Sequence, residues 1–212
     1  MADRTEPAQD FSPCACLRTA EAEHVGANAQ ALRSHTLSPQ RALPNLVHVT
    51  SESIAVVGEV PGVHRVWAFH NVMVVSWSGT AADAVRRLAP IADRLLTRTR
   101  ADKLSFVHLV PNNLAMPDAA TRAALLELGH AYSDRTACIA VIVSGTGFWA
   151  SAIRSVITGI RVLAPRAFDL RMHASLPELL QWFPEEHARK TGVTLEPSEL
   201  LLQLERAGKH AT

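Results

Sequence analysis

The chain has 212 residues, 48% of them hydrophobic, and a formal net charge of +1. That length can bury a full core, and the near-neutral charge excludes a general nucleic-acid binder, whose footprint is strongly basic. Three cysteines are too few for a disulfide framework, and the longest apolar run, 137–143, falls far short of the roughly 20 residues that span a bilayer.

Residues 1–45 are rich in Ala, Gln, Ser, Thr, Pro and His and carry few large apolar groups. Ordering such a stretch costs entropy that its small burial does not offset, so a disordered tail is expected, with a frayed helix around 20–33. Translation from a start upstream of the true one is the other source of such a stretch. The opening Met-Ala-Asp-Arg-Thr-Glu lacks the basic and apolar regions of a secretory signal, so a cytoplasmic location is expected. Cys14 and Cys16 form a C-x-C pair with His24 downstream, but a structural zinc site needs four ligands and there is no second cysteine pair. They are read as incidental, and no metal or cofactor is expected.

From Leu46 the texture changes, and residues 46–184 are expected to form an α/β domain. The stretches 54–60 and 64–69 are strand-like, with Pro61-Gly62 as the turn between them. His70-Asn71 turns the chain back into a third strand over 72–78, making an antiparallel hairpin. Ser78-Gly79-Thr80 then opens a helix over 81–99, which Pro90 should kink or split.

A strand over 103–110 leads to a helix starting near Pro117-Asp118 and running to about Tyr132. The continuous apolar run Thr136–Val143 reads as a strand buried on both faces, with Cys138 as a small core hydrophobe. In the helix Phe148–Leu163, Trp149, Ile153, Val156 and Ile160 share one side, and Ser151, Arg154, Thr158 and Arg161 the other. The stretch 168–174 alternates apolar and polar residues as an edge strand does, which would leave His173 solvated. Ser175-Leu-Pro-Glu178 is a capping box opening a helix that carries Leu179, Leu180, Trp182 and Phe183. Pro184 and Gly192 should break the helical pattern beyond Phe183. Residues 185–212 are read as a helical extension with a last amphipathic helix over 197–207.

The segments 72–79, 105–116 and 139–143, with the closing Met172-His-Ala-Ser-Leu-Pro-Glu-Leu-Leu-Gln-Trp-Phe183, resemble the STAS-like domains of bacterial anti-sigma-factor antagonists and related STAS/Sec14-type proteins. The resemblance implies an α/β fold in which an N-terminal hairpin joins parallel strands packed with helices, and a regulatory role through a protein partner. Antagonist members are similar in carrying an Asp-Ser-Ser-Gly type turn whose serine is phosphorylated. Here that turn falls at Met116-Pro-Asp-Ala-Ala120, where Ala119 takes the serine position and the hydroxyl is missing.

Parallel sheets place binding residues at the carboxyl ends of their strands. Those ends carry Asn112, Asn113, Ser144, Gly145, Thr146 and Gly147, the candidates for ligand binding. Amides and hydroxyls bind ligands but transfer protons poorly near neutral pH, and no nucleophile elbow, histidine pair or carboxylate pair accompanies them. No catalytic residue is assigned. Between Asp134 and Asp169 there is no acidic residue, while Arg135, Arg154, Arg161 and Arg166 lie inside. A basic helix starting with Phe148 and Trp149 is therefore the candidate surface for a protein partner or an anionic membrane. A second copy of the chain is a further candidate partner. The expected function is a non-catalytic regulatory or scaffolding module that binds a protein partner. The alternatives are a peripheral membrane or lipid-binding module and a small enzyme using the strand-end polar cluster.

Overall fold

Six runs rich in β-branched and aromatic residues pair into one mixed sheet in the computed structural model, which describes residues 54–145, 147–163 and 169–209. The expected tail with Cys14, Cys16 and His24 lies outside the described residues, as do Thr146, Arg166 and Phe168. Strands β1 (Ala55–Val60), β2 (His64–Phe69), β3 (Val72–Trp77), β4 (Leu104–Val110), β5 (Thr136–Val143) and β6 (Asp169–His173) follow one another across the sheet in chain order. The first three pair antiparallel, and β3 to β6 pair parallel. The α/β architecture expected from the sequence is the one the chain adopts.

Helices α1 (Ala82–Arg86) and α2 (Leu88–Thr99) carry the chain from β3 to β4. Helix α3 (Ala119–Ala131) joins β4 to β5, and α4 (Phe148–Leu163) joins β5 to β6. Parallel strands laid down consecutively, each with a right-handed return, put every crossover helix on the same face of the sheet. One core accordingly unites Val85, Leu88 and Leu95, Ala124, and Ile153 of these helices with Met73, Val75, Phe106 and Val141 of the strands.

The opposite face is just as apolar, because inner strands alternate between two buried sides. Val72, Val74, Val107, Leu109, Cys138, Ala140 and Ile142 form its second core with the three C-terminal helices. These are α5 (Leu176–Leu180), α6 (Phe183–Thr191) and α7 (Pro197–Lys209). Leu179, Phe183, Leu200 and Leu204 are each 0% exposed, and burial of such a side chain stabilises by about 1.5–3 kcal/mol before entropy. Ser76 Oγ also donates to the Ala207 carbonyl at 3.0 Å, tying α7 to β3. Residues 185–209 are thus integral to the second core, and a boundary at 184/185 cuts through α6.

Local signals explain most helix ends. Pro90 lacks an N–H and its ring clashes with the carbonyl one turn back, so α1 stops at Arg86 and α2 starts anew at Leu88. Asp118 caps α3 by accepting from Thr121 N–H at 2.7 Å. Ser175 accepts from Glu178 N–H, while the Glu178 carboxylate reaches back one residue further than a capping box requires, to Ala174 N–H at 2.7 Å. Pro184 corrects the sequence reading: it lies in the first turn of α6, where a missing N–H costs nothing, and so starts a helix. His173 corrects it too. It is 6% exposed and stacks on Trp182 at 5.6 Å, because the face of β6 that carries it is covered by the C-terminal helices.

The turn between β1 and β2 lies against the end of β3. The Val63 carbonyl accepts from Ser78 N–H at 2.8 Å and from Gly79 N–H at 3.0 Å. A Cβ on Gly79 would lie 2.4 Å from the Gly62 carbonyl oxygen, a backbone atom that cannot rotate away. Gly79→Ala should therefore lower stability by about 1–3 kcal/mol in urea unfolding. Gly159→Ala, inside α4 with nothing within 4 Å of its added Cβ, should instead raise it by up to about 1 kcal/mol.

Candidate functional site

Pairing of β4 with β5 brings the two predicted strand-end loops together. Ser144 N–H donates to the Val110 carbonyl at 3.2 Å, and a Cβ on Gly145 would sit 3.3 Å from Asn112 Cβ. Yet Asn112, Asn113, Ser144, Gly145 and Gly147 are all exposed, and none of them lines the apolar cavity between the sheet and its crossover helices. Among the described residues no side-chain hydrogen bond joins Asn112, Asn113 and Ser144, and Ser144 has no imidazole partner. These side chains meet at the surface without enclosing a site.

The predicted contact helix α4 presents Phe148 at 89% and Val162 at 77% exposure. Arg154 is half-buried, and Arg161 is described only as a backbone position of the helix. Trp149, expected beside Phe148 on the contact surface, turns inward and donates its indole N–H to the Leu114 carbonyl at 2.8 Å. Arg135 pairs with Asp93 at 2.9 Å, so part of the acid-free stretch is neutralised from elsewhere in the chain. At the turn matched to the phosphoserine site, Asp118 is held below the usual carboxylate range by hydrogen bonds from Thr121. Thr121 itself is buried.

Two arrangements were not visible in the sequence. On the C-terminal-helix face, Ser105 Oγ lies 2.8 Å from His187 Nδ1 and 3.2 Å from Cys138 Sγ. A hydroxyl beside an imidazole is the geometry of a nucleophile and its base. All three residues are 0% exposed, however. Burial pushes the His187 imidazole down to about 4 and the Cys138 thiol up to about 12. The cluster is closed to substrate and poorly tuned for proton transfer.

The second arrangement is a cavity of about 170 Å³ between the crossover face of the sheet and the helices over it. Its floor is Trp77, Phe106, His108, Val110, Ile139 and Val141. Its walls are Val85, Leu88 and Ala92 from α1 and α2, Leu125 and Leu128 from α3, and Ile153, Ile157 and Ile160 from α4. His108 and Ile139 remain partly accessible although they lie on inner strands. Flanked by strands on both sides, they can only be accessible toward the cavity. Among the described residues no Lys, Arg, Asp or Glu lines it.

Its polar groups are few and mostly occupied. Tyr132 donates its hydroxyl to the Ala89 carbonyl at 2.8 Å, and Thr136 donates to the Tyr132 carbonyl at 2.8 Å. Trp77 donates its indole N–H to His108 Nδ1 at 3.1 Å. An indole N–H only donates, so Nδ1 must be unprotonated and the proton of a neutral His108 sits on Nε2. Among the described residues no acceptor meets that Nε2–H. The His108 ring lies nearly parallel to its neighbours Phe106, at 6.4 Å and 11°, and Trp77, at 6.0 Å and 20°.

Burial first, then nearby His64, pushes the His108 imidazole down to about 4, and burial first, then His70, does the same to His187. An unfolded histidine titrates near 6.5, so between about pH 6.5 and 4 the unfolded chain binds more protons than the native one. The stability these neutral rings confer is complete above about pH 6.5 and is lost as pH falls toward 4, by about 3 kcal/mol for each at the limit. Urea midpoints should therefore drop steeply from pH 7 to pH 4.5, and His187→Phe should flatten that slope.

Comparison with known proteins adds no relative. No protein-family model, curated protein or solved structure matches this chain, and the resemblance to STAS-like domains rests on its sequence alone.

Proposed function

We propose that this domain is a non-catalytic binding module that holds an apolar small molecule between its sheet and its crossover helices. The observation that carries the reading is the cavity of about 170 Å³ with its almost wholly apolar lining. Native interiors pack with few voids larger than a water molecule, and an apolar space of this size can admit apolar guests such as benzene. Groups that could run a reaction are missing from the described lining: a neutral imidazole stands alone, with no carboxylate to orient it and no nucleophile beside it. The reading belongs to the lipid-binding alternative raised by the sequence, narrowed to a guest or acyl segment of about six to ten heavy atoms.

A second reading keeps the regulatory role that the STAS-type resemblance implies, with α4 recognising a protein partner. Its support is the exposure of Phe148 and Val162 on a helix with no acidic residue. The two readings are compatible, because Ile153, Ile157 and Ile160 of the same helix line the cavity.

Ethylbenzene at millimolar concentration should raise the melting temperature of the protein by about 1–4 °C. Leu125→Trp, which fills the cavity from α3, should abolish that rise while the variant stays folded. A wild-type melting temperature that neither ethylbenzene nor acetophenone moves rules the cavity out as a binding site. For the second reading, Phe148→Ser combined with Arg154→Glu should reduce capture of a partner, or flotation with phosphatidylserine vesicles, several-fold and more so at low salt. Capture that survives both changes points to another surface.

A further inference from the structure

The cavity's polar chemistry is concentrated in one group. Its lining hydroxyls on Tyr132 and Thr136 are already donating to backbone carbonyls, and that of Thr121 bonds to Asp118. The Trp77 indole N–H is used on His108 Nδ1. That bond fixes the ring's orientation and its tautomer together, with the rings of Phe106 and Trp77 on either side of it. What remains among the described side chains is a single N–H donor, His108 Nε2, on an inner strand whose accessible surface faces an apolar space. Thr80 also lines the cavity, but its hydroxyl rotates freely and both donates and accepts, so it selects less sharply.

We infer that the guest is a neutral, mainly apolar molecule with one hydrogen-bond acceptor, a carbonyl or ether oxygen, which accepts from His108 Nε2–H. The inference rests on the proposal that the cavity binds a small molecule, and names the ligand class for it. A donor in an apolar site discriminates because leaving it unpaired under a bound guest costs more than the bond itself gains. A carboxylate is disfavoured. Among the described residues no Lys or Arg lines the cavity, and an imidazole pushed down to about 4 stays uncharged at neutral pH, so an anion would be desolvated with no countercharge. A pure hydrocarbon enters but leaves the N–H unmet.

The test uses the full chain and three probes of similar shape: ethylbenzene, acetophenone and benzoate. Dissociation constants come from NMR titration at pH 7. The ratio of the ethylbenzene constant to the acetophenone constant should fall roughly three- to tenfold in Trp77→Phe/His108→Phe, which removes both indole and imidazole donors while keeping aromatic rings in the row. Benzoate should bind at least about tenfold more weakly than acetophenone to the wild type. The second measurement needs no variant: in wild-type protein carrying labelled histidine, acetophenone should move the His108 Nε2–H resonance downfield and ethylbenzene should not. A ratio unchanged in the double variant, or a resonance that moves equally with both neutral probes, overturns the assignment of His108 while Leu125-sensitive ethylbenzene binding keeps the cavity as a binding site. Binding of none of the three overturns both.

Discussion

The fold depends on one constraint: a sheet whose inner strands are apolar on both faces must be covered twice. Strands β3 to β6 advance in chain order, so their right-handed crossovers all return over a single face. Nothing in that repeating pattern can cover the other side. The chain solves this with α5, α6 and α7, whose Leu179, Phe183, Leu200 and Leu204 are fully buried in the second core. A doubly wound sheet would have reversed direction and shared the crossovers between its faces. Here the division of labour is by sequence position, with the middle of the chain covering one face and the C-terminal helices the other.

The two coverings differ in quality, and that difference makes the site. On the C-terminal side, Leu200, Leu204, Phe183 and Leu179 have no accessible surface. On the crossover side, the nearly parallel rings of Phe106, His108 and Trp77 lay a flat floor across β3 and β4. Tyr132, just past α3, bonds to Ala89 of α2, and Trp149 of α4 bonds to Leu114 beyond β4. Leu125, Leu128, Ile157 and Ile160 then remain half-buried over a space they do not fill.

Much of this was legible locally. β2, β5 and α4 occupy the ranges that their hydrophobic periods define, and Pro90 splits its helix for the steric reason the sequence supplies. The errors came from inferring burial out of composition on one strand. Asp169 and Arg171 are exposed as their polarity suggests, Asp169 meeting Arg189 and Lys190 of α6, but His173 on the same face is closed over by Trp182. Pro184 was ambiguous because the same residue ends one helix and begins the next. The predicted strand-end loops do come together, but at the surface. The cavity could not be read at all, since its lining is drawn from residues between Trp77 and Leu170 and no local period marks a void.

The position of α7 has a consequence for how the protein is made. Helix α7 leaves the ribosome after every strand it helps to cover, and the Ser76–Ala207 bond spans 131 residues of chain. Synthesis proceeds from the N-terminus, so β2 to β5 can pair and receive their crossovers while Val72, Val74, Val107 and Ile142 still lack their cover. The nascent sheet therefore passes through a stage with one finished face and one bare apolar face. A chaperone that shields extended apolar surface would find its target in that interval, and a ribosomal pause upstream of Pro197 would prolong it.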